Sequence, residues 1–597
     1  MKKLFCIFLA CIAALLTLCG CGQSENVKTV HVQIEDAAHM TVNNNYRIIR
    51  SGQDVSFDIS VGEDYLLSSC DYPDYGIEQT GEGRYRLTLE NVCYPSTVRV
   101  FLSYAAKTEE KEFLRYGTIT YYPNGGKICG GEDVEEDVYY KHLRANTILG
   151  TQFERDGWTL IGWNTQPDGS GTHIGLGSRA DKNSVLYAEY MQNTPAEQFV
   201  VSQTDGGVKV EKYLGSGGDV VIPQSIDGLK VRAIADGAFK EIAFSSLVLP
   251  SSVVTVEEYA FTDCTIEKLY ITDNTTLASD KCFHRCKLEK MYINAASRPR
   301  YSGTYYDSYA DKYDRLLSLR DKKKIVLYSG SSTRFGYDSQ MIDVAFGEYD
   351  VVNMGVRAYT SSLAQLEFMK PFLREDDVLL VSPEFDALYY QFCVHNMLDY
   401  ETFALCESNY DIISTLDMRN YSEIFDAFGD YTSTRINLPE RDYSLSCRDF
   451  DENFVPSKEV YNDYGDYILY RENNYEGKSF SYNGCFYNKK YFPLNFIESF
   501  NSAFRPFIKS GVHAYFTYSP RSSISISDDS NATTIEQLDI YLRENIEMPI
   551  ISGITESIMP PLYFYGTDNH LSTEGAMLRT ENVINCLNVR MRADGLI

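Results

Sequence analysis

At 597 residues the chain exceeds what one hydrophobic core organises, so roughly three to five domains are expected. Its formal charge of −28, from 83 acidic against 55 basic residues, excludes a nucleic-acid-binding surface, which needs a basic patch. The 15 cysteines show neither CxxC nor Cys/His ligand spacing, so no metal site and no cofactor is expected, and any disulfide connectivity stays unread.

The chain starts with Met1-Lys2-Lys3, continues as an apolar run from Leu4 to Leu18, and reaches Leu18-Cys19-Gly20-Cys21. A positive start, a short apolar core and small residues describe a secretory signal, and the run is too short to span a bilayer. Its ending resembles the lipobox of bacterial lipoproteins. The resemblance implies cleavage before Cys21 and lipid attachment to its thiol, with an ordinary signal peptide as the alternative. Residues 1–21 are then a leader, and Gln23-Ser24-Glu25-Asn26 a polar tether. No later stretch is long and apolar enough to cross a membrane. The expected location is exported, lipid-anchored on the outer face of a bacterial cytoplasmic membrane or on the cell surface.

Residues 22–112 carry alternating segments such as Val30–Ile34, Val55–Ile59 and Tyr85–Leu89, broken by Gly, Asp and Asn. Period-two alternation predicts half-buried strands and a small β-sandwich. Residues 113–192 read differently. They contain Tyr121-Tyr122-Pro123-Asn124-Gly125-Gly126, Gly157-Trp158-Thr159-Leu160-Ile161-Gly162-Trp163-Asn164, Asp168-Gly169-Ser170-Gly171-Thr172 and Leu186-Tyr187-Ala188-Glu189-Tyr190. In that order the segments resemble the internalin B-repeat family of bacterial surface proteins, which implies a small β fold. Trp158 and Trp163, the only tryptophans, are expected in one compact aromatic core, with a sugar-binding platform as the alternative.

Residues 197–296 hold a countable repeat. Phe239, Phe261 and Phe283 are 22 apart, as are Leu247, Leu269 and Met291, and Leu249, Ile271 and Ile293. A fixed period with apolar residues in phase predicts a solenoid whose turns bury one another. Ile234-Ala235-Asp236-Gly237-Ala238-Phe239 and Leu249-Pro250-Ser251-Ser252-Val253 resemble the BspA-type leucine-rich repeats of bacterial surface proteins, which implies a protein partner on the exposed repeat face.

From residue 300 to 597 strand and helix alternate. Ile325–Tyr328, Val351–Asn353 and Asp377–Val381 are apolar runs of buried-strand type, and Leu363, Leu366, Met369 and Leu373 share one helical face between the last two. This order predicts a parallel sheet with right-handed crossovers, whose ligands bind at the carboxyl ends of the strands. Gly330-Ser331-Ser332, Asn353-Met354-Gly355, Ser382-Pro383-Glu384 and Asp568-Asn569-His570-Leu571 resemble the ordered blocks of the SGNH (GDSL-like) hydrolase superfamily. The fold class is thus multidomain: N-terminal all-β modules, a short leucine-rich-repeat solenoid and a C-terminal three-layer α/β domain. The resemblance implies Ser332 as nucleophile, His570 as general base, Asp568 as the acid that orients it, and backbone amides near Ser332 and Gly355 as oxyanion donors. Ser331 is the alternative nucleophile, and either serine is also suited to cap the next helix.

Two positions depart from the family pattern. Thr567 stands where the acid usually falls, three residues before the histidine, and Glu384 stands where an asparagine usually donates to the oxyanion. An ionised carboxylate only accepts hydrogen bonds, so Glu384 opposes that role unless it is protonated. An insertion at about 385–509 is rich in tyrosine, for example Tyr461, Tyr464 and Tyr467, and reads equally as a sugar-stacking cap or as plain packing. The expected activity is esterase or acyl-transfer chemistry on O-acylated envelope or extracellular polysaccharide. The alternative is a surface adhesion or scaffold protein with a degenerate hydrolase domain.

Overall fold

The computed structural model describes residues 29–35, 40–62, 65–70, 72–104, 115–140, 146–181, 183–301, 305–357, 360–384, 398–421, 423–438, 461–475 and 484–597. The leader and Cys21 lie outside them. The chain divides into two compact units, 1–110 and 111–597. In the first, Met40–Asn43, Gln53–Val61, Arg84–Val92 and Tyr75–Gly81 form one sheet, and Tyr46–Arg50, Thr29–Ile34 and Ser96–Val98 another. Gln53–Val61 buries Val55, Phe57 and Ile59 and exposes the residues between them, so alternation in sequence becomes alternation of burial.

The second unit opens with a five-stranded sheet in the order Glu135–Tyr140, Arg115–Tyr122, Val185–Gln192, Trp158–Asn164, His173–Ile174. Trp163 is fully buried between Tyr121 and Phe153, and its indole N–H donates to Ile148 O at 3.2 Å. The expectation of one shared tryptophan core needs correcting. Trp158 is half-buried, with the Arg155 guanidinium 3.8 Å above its ring. The bulge next to Gly162 brings both tryptophans to one face of Trp158–Asn164, but Trp163 pairs with Ala188 in the core, whereas Trp158 is the first residue of the strand, opposite Gln192.

The 22-residue period is the stacking period of the solenoid. Phe239 pairs with Phe261 and Phe261 with Phe283, Leu247 with Leu269 and Leu269 with Met291, all in parallel ladders. The phenylalanine rings stack at 4.7 and 4.6 Å, and this continuous apolar column is what makes neighbouring repeats stabilise one another. The column does not end in water: Phe283 stacks on Phe425 at 3.9 Å. Phe425 belongs to the helix Ile424–Arg435, inside the tyrosine-rich insertion. Beneath it the Arg435 guanidinium, 2% exposed, meets Asp273 at 2.8 Å and Glu407 at 2.6 Å. Part of the insertion is thus the lid of the repeat column, and solenoid and C-terminal domain share one hydrophobic core. The preceding β module joins them through Gly175 N–H to Asp411 at 3.0 Å and Arg179 to Asp311 and Asp314 at 2.8 and 2.6 Å.

The C-terminal sheet is parallel, in the order Asp350–Asn353, Lys324–Tyr328, Val378–Val381, His513–Phe516. Every residue of Lys324–Tyr328 is buried, as expected for a strand covered on both faces. Val326, Tyr328, Leu379 and Val381 enter one core, with Phe496, Phe500 and Phe504 of the helix Leu494–Lys509. Ile325, Leu327, Val378 and Leu380 enter the other, with Val583, Leu587 and Met591 of the helix Thr573–Ala593.

Candidate functional site

Central strands of such a sheet carry their last residues to a common edge, where the chain turns into helices. Lys324–Tyr328 is followed by Ser329 and Gly330 and then by the short helix Ser331–Arg334. Gly355, beyond the neighbouring strand, packs against that helix: a Cβ there would lie 2.4 Å from Arg334 N and 2.8 Å from Thr333 Cβ. The close approach requires glycine.

At this edge His570 Nε2 lies 2.7 Å from Ser331 Oγ. The serine expected to be the nucleophile, Ser332, does not meet the histidine. It is fully buried, and its Oγ has no hydrogen-bond partner among the described residues. The one-residue difference follows from the turn. Ser331 opens the helix on the partly exposed side, and the next residue of a helix points about 100° away, into the core. The strand and the Gly-Ser-Ser run were legible in sequence, whereas the phase of the turn was not.

Of the other expected residues, Asp568 is fully buried, and its carboxylate accepts from Arg521 Nη1 at 3.0 Å. Glu384 accepts from the Ser332 N–H at 2.6 Å, from Asn569 Nδ2 at 3.1 Å and from Ser331 Oγ at 3.4 Å. It therefore occupies a backbone amide of the serine turn, one of those the sequence assigns to an oxyanion. The Gly355 N–H donates to Asn353 Oδ1 at 2.9 Å, so the role expected of that amide is also engaged.

His570 is anchored by its loop. The Tyr565 N–H donates to His570 O at 2.9 Å, and Ser572 caps the helix Thr573–Ala593 by accepting the Gly575 N–H at 3.2 Å. Burial and the charges of Arg334, Arg471 and Arg521 push the His570 pKa down to about 3. The ring is thus neutral over the physiological range, with an unprotonated nitrogen able to accept from the serine hydroxyl.

Composition did not point to this cationic lining. Arg471, 4% exposed, donates to Leu571 O at 2.9 Å, Tyr467 O at 2.7 Å and Phe335 O at 3.2 Å. Arg579, also buried, reaches Ser332 O at 3.3 Å and the Tyr337 hydroxyl at 2.9 Å. Arg334 lies over the rings of Phe335, Tyr461 and Tyr467 at 4.5, 5.4 and 5.5 Å. Guanidinium groups in low-dielectric surroundings favour negative charge that develops near them. Asp466 fastens the insertion to this edge, accepting from Ser339 N–H and Oγ at 2.7 Å each and from Asn353 Nδ2 at 2.8 Å. Asp466 and Arg471 lie within the tyrosine-rich insertion, so the available signal was charge set among aromatics. Among the described residues no group of His, Cys, Asp and Glu could hold a metal ion.

Comparison with known proteins finds leucine-rich repeats. The BspA type leucine rich repeat region family matches residues 232–312 in six copies, so the chain contains a BspA-type leucine-rich-repeat region. A solved structure of a T. pallidum leucine rich repeat protein is similar, with 18% identity over 18% of this chain and 75% of that chain and a TM-score of 0.13. No curated protein matches the chain.

Proposed function

We propose that this is an exported, lipid-anchored surface protein whose C-terminal domain is SGNH-like and carries a serine-hydrolase site acting on ester-linked acyl groups of envelope or extracellular polysaccharide. The observation that carries the reading is the 2.7 Å contact between His570 Nε2 and Ser331 Oγ at the carboxyl edge of a parallel sheet. In the proposed reaction Ser331 Oγ gives its proton to His570 Nε2 and attacks the ester carbonyl carbon, whose oxygen becomes negative. Collapse breaks the bond to the alcohol, which leaves with the proton from His570. Water, or a second hydroxyl in acyl transfer, then attacks the acyl-serine with His570 again as base. The oxyanion gains from the surrounding guanidinium charges. The Ser332 N–H becomes available to it once Glu384 releases that amide. The repeats, by their BspA-type character, are proposed to dock a protein partner.

Glu384 also supports a second reading, a surface scaffold in which the site is degenerate, because a carboxylate on the Ser332 amide opposes oxyanion binding. Turnover of a chromogenic acetyl ester by the full chain separates the two. Hydrolysis abolished by Ser331→Ala and retained by Ser332→Ala supports the enzyme. Hydrolysis that is absent in the native chain and emerges in Glu384→Asn supports the scaffold.

A further inference from the structure

Each rung of the solenoid repeats one corner. Glu241, Asp263 and Arg285 have φ of 56, 53 and 53°, and Ile242, Cys264 and Cys286 follow them. The ladder stays in register through the corner. Thr262 pairs with His284 and Thr265 with Lys287, and the Lys287 N–H donates to Cys264 O at 2.9 Å. Cys264 and Cys286 are therefore vertical neighbours, with Cα atoms about 4.8 Å apart by the spacing of paired strands. That lies within the roughly 4.4–6.8 Å that a disulfide spans.

The two side chains also point alike. Cys264 Sγ lies 3.4 Å from Thr262 O and 3.9 Å from Phe239 O. Cys286 Sγ lies 3.8 Å from His284 O and 3.6 Å from Phe261 O, the matching carbonyls one rung on. The thiols are close enough to act on each other's ionisation, which favours the thiolate at Cys264 and the thiol at Cys286.

We propose that Cys264 and Cys286 form a reversible disulfide site joining consecutive rungs, filled by exchange with a low-molecular-weight disulfide. Cys286 is half-buried and Cys264 buried, so exchange starts at Cys286. Its thiol gives its proton to the neighbouring Cys264 thiolate as its sulfur attacks one sulfur of the reagent, and the other sulfur leaves as a small thiolate. Cys264 passes that proton to the released small thiolate and, as thiolate again, attacks the mixed disulfide at Cys286 and expels the second small thiolate. The two cysteine protons end on the two released thiols, so two protein thiols are oxidised as one reagent disulfide is reduced. Side chains stacked in a ladder keep their Cβ atoms about 4.8 Å apart, wider than the roughly 3.5–4.5 Å of a relaxed disulfide. Closure therefore draws the rungs together, and the bond is more easily reduced than a relaxed one.

The test is peptide mapping of the full chain after incubation with hydroxyethyl disulfide, quenching with iodoacetamide and proteolysis without reductant. The expected product is a peptide pair joined through Cys264 and Cys286 that is lost in Cys286→Ser and reopened by mild dithiothreitol. Cys282, whose thiol donates to Val256 O at 3.1 Å, serves as control, and Cys282→Ser should leave the pair intact. Recovery of both cysteines alkylated, or of Cys286 as a persistent mixed disulfide in the native chain, would overturn the proposal.

Discussion

Arg435→Ala probes how the insertion closes the repeat column. The native guanidinium is 2% exposed, donates to Glu407 at 2.6 Å and meets Asp273 at 2.8 Å. It also reaches Ser297 Oγ at 3.1 Å and Arg298 O at 3.3 Å. Both carboxylates have further donors. Glu407 accepts the N–H groups of Arg300 and Tyr301 at 2.9 and 2.6 Å, and Asp273 accepts from Ala296 N–H at 2.8 Å and Tyr410 hydroxyl at 3.0 Å. Truncation removes the guanidinium that bridges the two buried carboxylates and leaves Arg300 as the cation acting on Asp273, and breaking a buried pair in this way costs about 3–5 kcal/mol. The assay is pulse proteolysis in urea, following the unit 111–597. Burial pushes both carboxyl pKa values up and the Arg435 charge holds them down, so without Arg435 both rise further and the folded variant binds more protons than the folded native chain. Its deficit should then shrink as pH falls from 7 towards 5. A loss below about 1 kcal/mol, the range of an exposed pair, or a deficit that grows on acidification, would refute this account of the lid.

The remaining predictions concern the site and the first module of the second unit. Gly355→Ala places a Cβ against Arg334 N at 2.4 Å, so it should cost about 1–3 kcal/mol in urea denaturation and lower ester turnover. With the His570 pKa near 3 the base stays neutral, so kcat/KM on an acetyl ester should be flat from pH 7 to 5. An ordinary imidazole of pKa about 6.5 would lose about 25-fold there, and a fall of that size would show that the ring is not held neutral. Trp163→Ala should cost about 3–5 kcal/mol, as for a buried aromatic, whereas Trp158→Ala should cost far less. Equal losses in thermal melts would contradict their different burial.

Features that repeat or alternate were legible in the sequence, because periodicity maps directly onto burial. The 22-residue spacing gave the rungs, the alternation at Val55, Phe57 and Ile59 gave half-buried strands, and the apolar runs at Ile325, Val351 and Val378 gave a parallel sheet. What depended on one residue's phase was not legible. Ser331 and Ser332 are chemically identical, and only the start of the helix decides which faces His570. Trp158 and Trp163 looked equivalent, but Trp163 pairs with Ala188 inside the core while Trp158 opens the strand opposite Gln192, beneath Arg155. Contacts distant in sequence, such as Phe283 on Phe425 or Arg471 on Leu571, leave no periodic trace. The insertion's tyrosines therefore gave no sign that one part closes the solenoid while another underlies the serine.

The most direct measurement is to label the full chain with a fluorophosphonate and map the modified residue by mass spectrometry. The account predicts covalent phosphonylation at Ser331, abolished by Ser331→Ala or His570→Ala and retained in Ser332→Ala. Labelling at Ser332, or none on the folded native chain, would contradict it.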